Sequence, residues 1–137
     1  MGSCKGKQVI TTDGAPKAIG PYSAGIKVCH FIYSAGQIGL DPATGNLVEG
    51  GVTAETRRAL ENLKAIVEAG GAELKQIVKT TVFLRDIADF AAMNAVYAEY
   101  FTENPPARSA VQVAALPKGA AVEIEAVVFM PDCSCED

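Results

Sequence analysis

The segment NPPARSAVQVAALPKGAAVEIEAV, residues 104–127, holds the side chains best suited to chemistry: Arg108, Glu123 and Glu125, set among small and aliphatic neighbours. A guanidinium presents a planar fork of N–H donors that can grip a carboxylate through two parallel hydrogen bonds. A carboxylate nearby can orient or deprotonate a water. Pro105, Pro106 and Ala107 stiffen the approach to Arg108, and Ser109 and Ala110 are small, which leaves the guanidinium room at the mouth of a cavity. Two readings stay open from residue types alone. One is a cross-strand ion pair on an exposed face, generally worth less than ~1 kcal/mol. The other is an anion site with a water-activating acid beside it.

Other reactive side chains are less promising. His30, the sole histidine, stands at the start of an apolar run and fits a turn or strand edge better than a catalytic base. Cys4, Cys29, Cys133 and Cys135 are even in number, but a chain this rich in aliphatic residues needs no staples and is expected to keep its thiols reduced. Cys133-Ser134-Cys135 offers two thiols with no second pair and no nearby histidine, a poor metal site. No metal site is expected.

A net charge of −4 with scattered lysines and arginines would meet a phosphate backbone with repulsion, so nucleic acid is not an expected partner. No apolar run approaches the ~20 residues needed to cross a bilayer, and the first residues carry neither signal-peptide nor transit-peptide chemistry. Gly2 lacks the Ser or Thr at position 6 that myristoylation prefers, since Gly6 stands there. No membrane association is expected, and the default location is cytoplasmic.

The elements that must position these groups follow from periodicity. Residues 8–12, 20–28 and 30–39 read as extended pieces rich in β-branched and aromatic residues. Asp41-Pro42 opens a turn in which Gly45 supplies a positive φ. From Thr53 the period becomes helical, with Thr56, Leu60, Leu63 and Val67 on one stripe, Glu55 in the first turn and Gly70-Gly71 as the stop. Residues 76–84 form a strand. Residues 86–101 form a second helix, capped by Asp86 or Asp89, whose inner stripe is Ile87, Phe90, Tyr97 and Phe101. Asn94 falls on that stripe, and a buried amide there must find partners or cost about 1 to 3 kcal/mol. Residues 104–127 then read as a closing β-hairpin, with Arg108, Ala110, Gln112 and Ala114 on one face of the first strand and Glu123 and Glu125 on one face of the second. If the two polar faces coincide, Arg108 and a glutamate are neighbours.

This order, β-β-β-α-β-α-β-β, predicts an α+β domain spanning residues 1–137, a single mixed sheet with two helices on one face, and flexible ends at 1–7 and 130–137. The other sheet face has no helix to cover it. Self-association is the expected solution, with sites formed between subunits.

The pieces AIGPYS (18–23), SAGQIG (34–39), VKTTVFL (78–84), DFAAMNAVYAEYF (89–101), PPARSAVQVAALPKGA (105–120) and VEIEAV (122–127) together resemble the Rid family, also called YjgF, and within it the RidA type. The resemblance spans roughly residues 8–130. It implies a chorismate-mutase-like fold (bacillus type) assembled as a homotrimer, with sites in the clefts between subunits. It also implies an enzyme without cofactor that hydrolyses 2-imino acids such as 2-iminobutanoate and 2-iminopropanoate to 2-oxo acids and ammonia. Carried over, Arg108 is the carboxylate clamp and Glu123, rather than Glu125, holds the attacking water. Tyr22 and Asn94 line the pocket, the Ala35-Gly36 backbone contacts substrate, and Ala110 takes a position often occupied by Cys in bacterial members. Pro105 stands where phenylalanine is common. The rival reading is a non-catalytic trimer that senses a small carboxylate or regulates partner proteins.

Overall fold

The computed structural model describes residues 6–131; Cys4 and Cys133-Ser134-Cys135 lie outside the described residues, as does most of each chain end. Six strands form one mixed sheet: β1 (Gln8–Ile10), β2 (Gly25–Val28), β3 (Phe31–Ser34), β4 (Ile77–Leu84), β5 (Ala107–Gln112) and β6 (Val122–Phe129). Helix α1 (Gly51–Ala69) falls between β3 and β4, and α2 (Phe90–Tyr100) between β4 and β5. The spatial order is β1-β2-β3-β6-β4-β5, antiparallel except for the β4–β5 pair. The predicted element order and the two-helix, one-sheet α+β architecture are both observed.

The closing hairpin is not. β5 and β6 do not pair; β4 lies between them, parallel to β5 and antiparallel to β6. The reason is that β4, α2 and β5 form a βαβ unit, whose crossover returns the chain beside β4 and parallel to it. The 113–121 connection then steps across β4 to start β6 instead of making a tight turn.

The helices cover one face. Thr56, Leu60, Leu63 and Val67 of α1 are all buried, as the helical stripe predicts, against Ile32, Val82, Leu84, Val122, Ile124 and Val128 of the sheet. The helix starts slightly earlier than expected, at Gly51, preceded by Gly50 at φ 118°, so Glu55 lies beyond the first turn and is buried. On α2 the buried positions are Met93, Val96 and Tyr97, followed by Phe101, while Ile87 is half exposed. Residues 87–89 form a separate 3-10 turn, which rotates Ile87 off the stripe, and Asp86 accepts a hydrogen bond from the Ala88 amide at 2.9 Å to cap it.

At the turn after β3, Asp41 accepts from the Ala43 amide at 2.8 Å and Gly45 adopts φ 75°, as its turn chemistry requires. The two-residue connection of β2 and β3 holds Cys29, at φ 49°, and His30, whose Nδ1 lies 3.0 Å from the Met130 carbonyl. Cys29 is disulfide-bonded, contrary to the reduced state expected from composition. That expectation concerned what the core requires, and a turn cysteine lies outside the core. Among the described residues no helix is long and apolar enough to cross a membrane.

The second face of the sheet carries no helix. Phe31, Tyr33, Val111 and Phe129 leave between 37% and 46% of their surface exposed there, and the Phe31 ring contacts those of Tyr33 and Phe129 to form an exposed aromatic cluster, the kind of apolar surface that marks an interface.

Candidate active site

Alternation along each strand sorts the two charged groups onto opposite faces. Thr80, Val82 and Leu84 of β4 are buried beneath the helices, and Arg108 stands opposite Thr80 on β5, so its side chain rises on the helix side. Glu123 stands opposite Phe83 on β6 and therefore points to the uncovered face, with Glu125 two residues on. Within one chain the expected neighbourhood of Arg108 and a glutamate does not exist. The prediction assumed β5 and β6 to be partners, and the intervening β4 removes the cross-strand pairing that would have aligned their polar faces.

Each group has instead its own surroundings. The Arg108 Nη1 donates to Asn94 Oδ1 at 2.7 Å, and its guanidinium carbon lies 4.8 Å from the Tyr97 ring centroid and 5.3 Å from that of Phe90. Helix α2 supplies all three at one-turn spacing, positions 90, 94 and 97, because that face of the helix overhangs the edge strand. Thr80 Oγ1 and Tyr97 Oη are 2.7 Å apart in the core, which locks the ring under the guanidinium. Burial raises the Tyr97 hydroxyl pKa above its ordinary value, against smaller lowering by Thr80 and Arg108. Ala110 is half-buried on this same side, packed against the core.

No carboxylate among the described residues lies within ion-pair distance of Arg108. Its partners are a neutral amide and two aromatic faces, each cation–π contact adding about 0.5 to 1 kcal/mol at a partly exposed site. The remaining N–H donors of the fork are thus available to an anion.

Glu123 opens into a cavity of about 600 Å³, bordered among others by Tyr22, Gly36, Gln37, Pro117 and Lys118, within the usual range for small-molecule sites. Gly36 lies directly against the Glu123 carboxylate: a Cβ there would fall on Oε2, and within 2.6 Å of Cδ. Burial, with a smaller contribution from Glu125, raises the Glu123 pKa above the ordinary 4.5. The Ala35 amide donates to the Ala24 carbonyl at 2.8 Å, tying the Ala35-Gly36 segment to the loop that carries Tyr22. The cavity thus collects Tyr22, Gly36 and Glu123, while Arg108, Asn94 and Ala110 cluster at the β5 edge. Gln37 and Lys118 also border it; neither was singled out from the sequence, although both lie within the pieces SAGQIG and PPARSAVQVAALPKGA.

A prediction arises from the Gly36 contact. Gly36→Ala is expected to displace the Glu123 carboxylate, which is the end of a flexible side chain, and so to lower turnover by roughly ten- to hundredfold while the fold survives. Steady-state kinetics beside a thermal melt check this; unchanged turnover would show that the contact has no part in the chemistry.

A protein-family model described as Endoribonuclease L-PSP matches residues 12–130. The chain belongs to the Rid/YjgF family. Among Rid relatives it is 54% identical over 123 residues to human 2-iminobutanoate/2-iminopropanoate deaminase, covering 90% of each chain. Two solved Rid structures from E. coli share its fold. The YjgF gene product is 48% identical with a TM-score of 0.84, covering 89% of this chain and 98% of that one. TdcF with bound serine is 43% identical with a TM-score of 0.86 and the same coverages. The family resemblance drawn from the sequence pieces is therefore correct.

Proposed function

We propose that this Rid protein hydrolyses reactive 2-imino acids, 2-iminobutanoate and 2-iminopropanoate among them, to 2-oxo acids and ammonia, in clefts between the subunits of a homotrimer of the chorismate-mutase-like type. The observation that carries the reading is the state of Arg108, a guanidinium held in place by Asn94, Phe90 and Tyr97 with no carboxylate among the described residues to neutralise it. The name of the human relative, a 2-iminobutanoate/2-iminopropanoate deaminase, supports the same substrate class.

Arg108 and Glu123 lie on opposite faces of one sheet, so a site using both takes Arg108 from one subunit and Glu123 from the next. The uncovered apolar face around Phe31, Tyr33, Val111 and Phe129 supports such an assembly. Arg108 then grips the substrate carboxylate and sets the imine carbon over the Glu123 cavity. Glu123 accepts a proton from a water as the water oxygen bonds to that carbon. Glu123 passes that proton to the nitrogen of the resulting carbinolamine, and the re-ionised Glu123 then takes the hydroxyl proton as the C–N bond breaks, so that ammonia leaves and the carbonyl remains. The protonated imine is already electrophilic, so positioning and one proton relay suffice.

A ribonuclease, the activity in the description of the family model, fits less well: the net charge is −4 and the only histidine packs at the β2–β3 turn by Met130.

The test is a trapping assay. Threonine dehydratase generates 2-iminobutanoate in the presence of semicarbazide, and this protein is expected to increase 2-oxobutanoate at the expense of the trapped imine. No effect on that partition would reject the deaminase and leave the sensor. In the same assay, the raised Glu123 pKa places the acid limb of kcat/KM above the ordinary glutamate value, and Glu125→Gln is expected to move it down.

A further inference from the structure

We infer that helix α1 positions Glu123 from the opposite side of the sheet, through two buried polar side chains, Glu55 and Asn62, that hold the backbone segments on either side of it. The inference rests on Glu123 being the group that activates water. Glu55 and Asn62 are 7% and 0% exposed, on a helix whose other buried side chains, Thr56 apart, are aliphatic. Burying a carboxylate and an amide there costs free energy unless each is hydrogen-bonded, so their bonds show what they hold.

Glu55 Oε1 accepts from the Ala121 amide at 2.8 Å, two residues before Glu123. Asn62 Nδ2 donates to the carbonyls of Ile38, at 3.2 Å, and Leu40, at 2.9 Å, while its Oδ1 accepts from Arg58 Nε at 3.0 Å. Gly39, between those carbonyls, lies so close to α1 that a Cβ would come within 2.7 Å of the Glu55 Cα. The loop held in this way continues back to Gln37, which exchanges two backbone hydrogen bonds with Ile124, at 2.8 and 2.9 Å, and to Gly36 against the Glu123 carboxylate.

Glu123 is thus bracketed. Ala121 before it is tied to Glu55, Ile124 after it is tied to Gln37, and the loop bearing Gln37 and Gly36 is tied to Asn62. A shift of the 36–40 loop or of the start of β6 moves the carboxylate relative to the cavity. It leaves Arg108, which is held by α2, in place. Loss of the Glu55 or Asn62 bonds should therefore lower kcat with little change in KM, and a misplacement of about 1 Å can cost up to roughly a hundredfold.

The test compares Glu55→Met, which keeps length and helix propensity but removes the acceptor, with Glu55→Gln, whose amide oxygen can still accept from Ala121. Glu55→Met is expected to lower kcat by roughly ten- to hundredfold with KM within about twofold, and Glu55→Gln to restore most of it. The side-chain carboxyl resonance of Glu123, followed by 13C NMR against pH, should move its titration midpoint in Glu55→Met and not in Glu55→Gln. Should Glu55→Met fail to fold, Gly39→Ala carries the test, because its added Cβ forces the 36–40 loop and the Glu55 backbone apart while keeping the Glu55 side chain, and the same loss of kcat and shift of the Glu123 resonance are expected. A folded Glu55→Met or Gly39→Ala protein with wild-type kcat and an unmoved Glu123 resonance would overturn the inference. Absence of imine hydrolysis in the unmutated protein would instead reject the proposed reaction, and the resonance would still report whether α1 positions Glu123.

Discussion

Arg108→Ala is expected to lower kcat/KM for 2-iminobutanoate by roughly two to four orders of magnitude while the protein stays folded. Two charge-assisted hydrogen bonds to the substrate carboxylate contribute about 3 to 5 kcal/mol together, and every 1.4 kcal/mol is a factor of ten. The fold should tolerate the change, because Arg108 is half-buried on the edge strand β5 and gives up only the Asn94 bond and two ring contacts. Arg108→Lys should fall between the two, since it keeps the charge and loses the fork. The measurement is the trapping assay with a thermal melt and a sizing experiment alongside. Normal turnover by the alanine variant would remove Arg108 from the mechanism.

Glu123→Gln is expected to lower kcat by roughly two to four orders of magnitude, the usual worth of a positioned general base, while 2-oxo acids still bind through Arg108. Its effect on stability should have the opposite sign. The folded protein raises the Glu123 pKa, so the folded state takes up a proton more readily than the unfolded chain does. The ionised side chain therefore opposes folding above its folded pKa, and that opposition fades as pH falls through it. Glutamine, neutral at every pH, should raise the melting temperature at pH 7, with the difference shrinking as the pH is lowered toward the glutamate range. An inactive variant that is also less stable at pH 7 would contradict the burial argument.

The same two variants test whether sites form between subunits. Arg108→Ala and Glu123→Gln are each expected to be nearly inactive alone. If a site takes one residue from each of two chains, mixing them after dissociation and reassembly should recover about a quarter of wild-type activity, because that fraction of interfaces pairs an intact Arg108 with an intact Glu123. A site contained in one chain would recover none.

Local periodicity made most of the architecture legible. The stripe Thr56, Leu60, Leu63 and Val67 is buried as its spacing requires, and the turn at Asp41 to Gly45 forms as its residues demand. Both depend on contacts a few residues apart. Ile87 departs from its predicted stripe because a 3-10 turn precedes α2, a change of pitch that apolar spacing does not encode. Glu55 was legible only as a residue near a helix start, since its hydrogen bond to Ala121 joins positions far apart in the chain.

Residue chemistry alone singled out Arg108 and the pair Glu123 and Glu125, because a lone guanidinium and acids among small neighbours stand out against an aliphatic background, and the choice of Glu123 came from the family resemblance. The sheet then separated what the sequence suggested was joined. Which strand lies beside which depends on the β4-α2-β5 crossover, a long-range choice, and inserting β4 between β5 and β6 sends one charge up under α2 and the other down to the uncovered face. Alternation along a strand is local and can be read from the order of residues; the relation between the faces of two strands exists only once their neighbours are known.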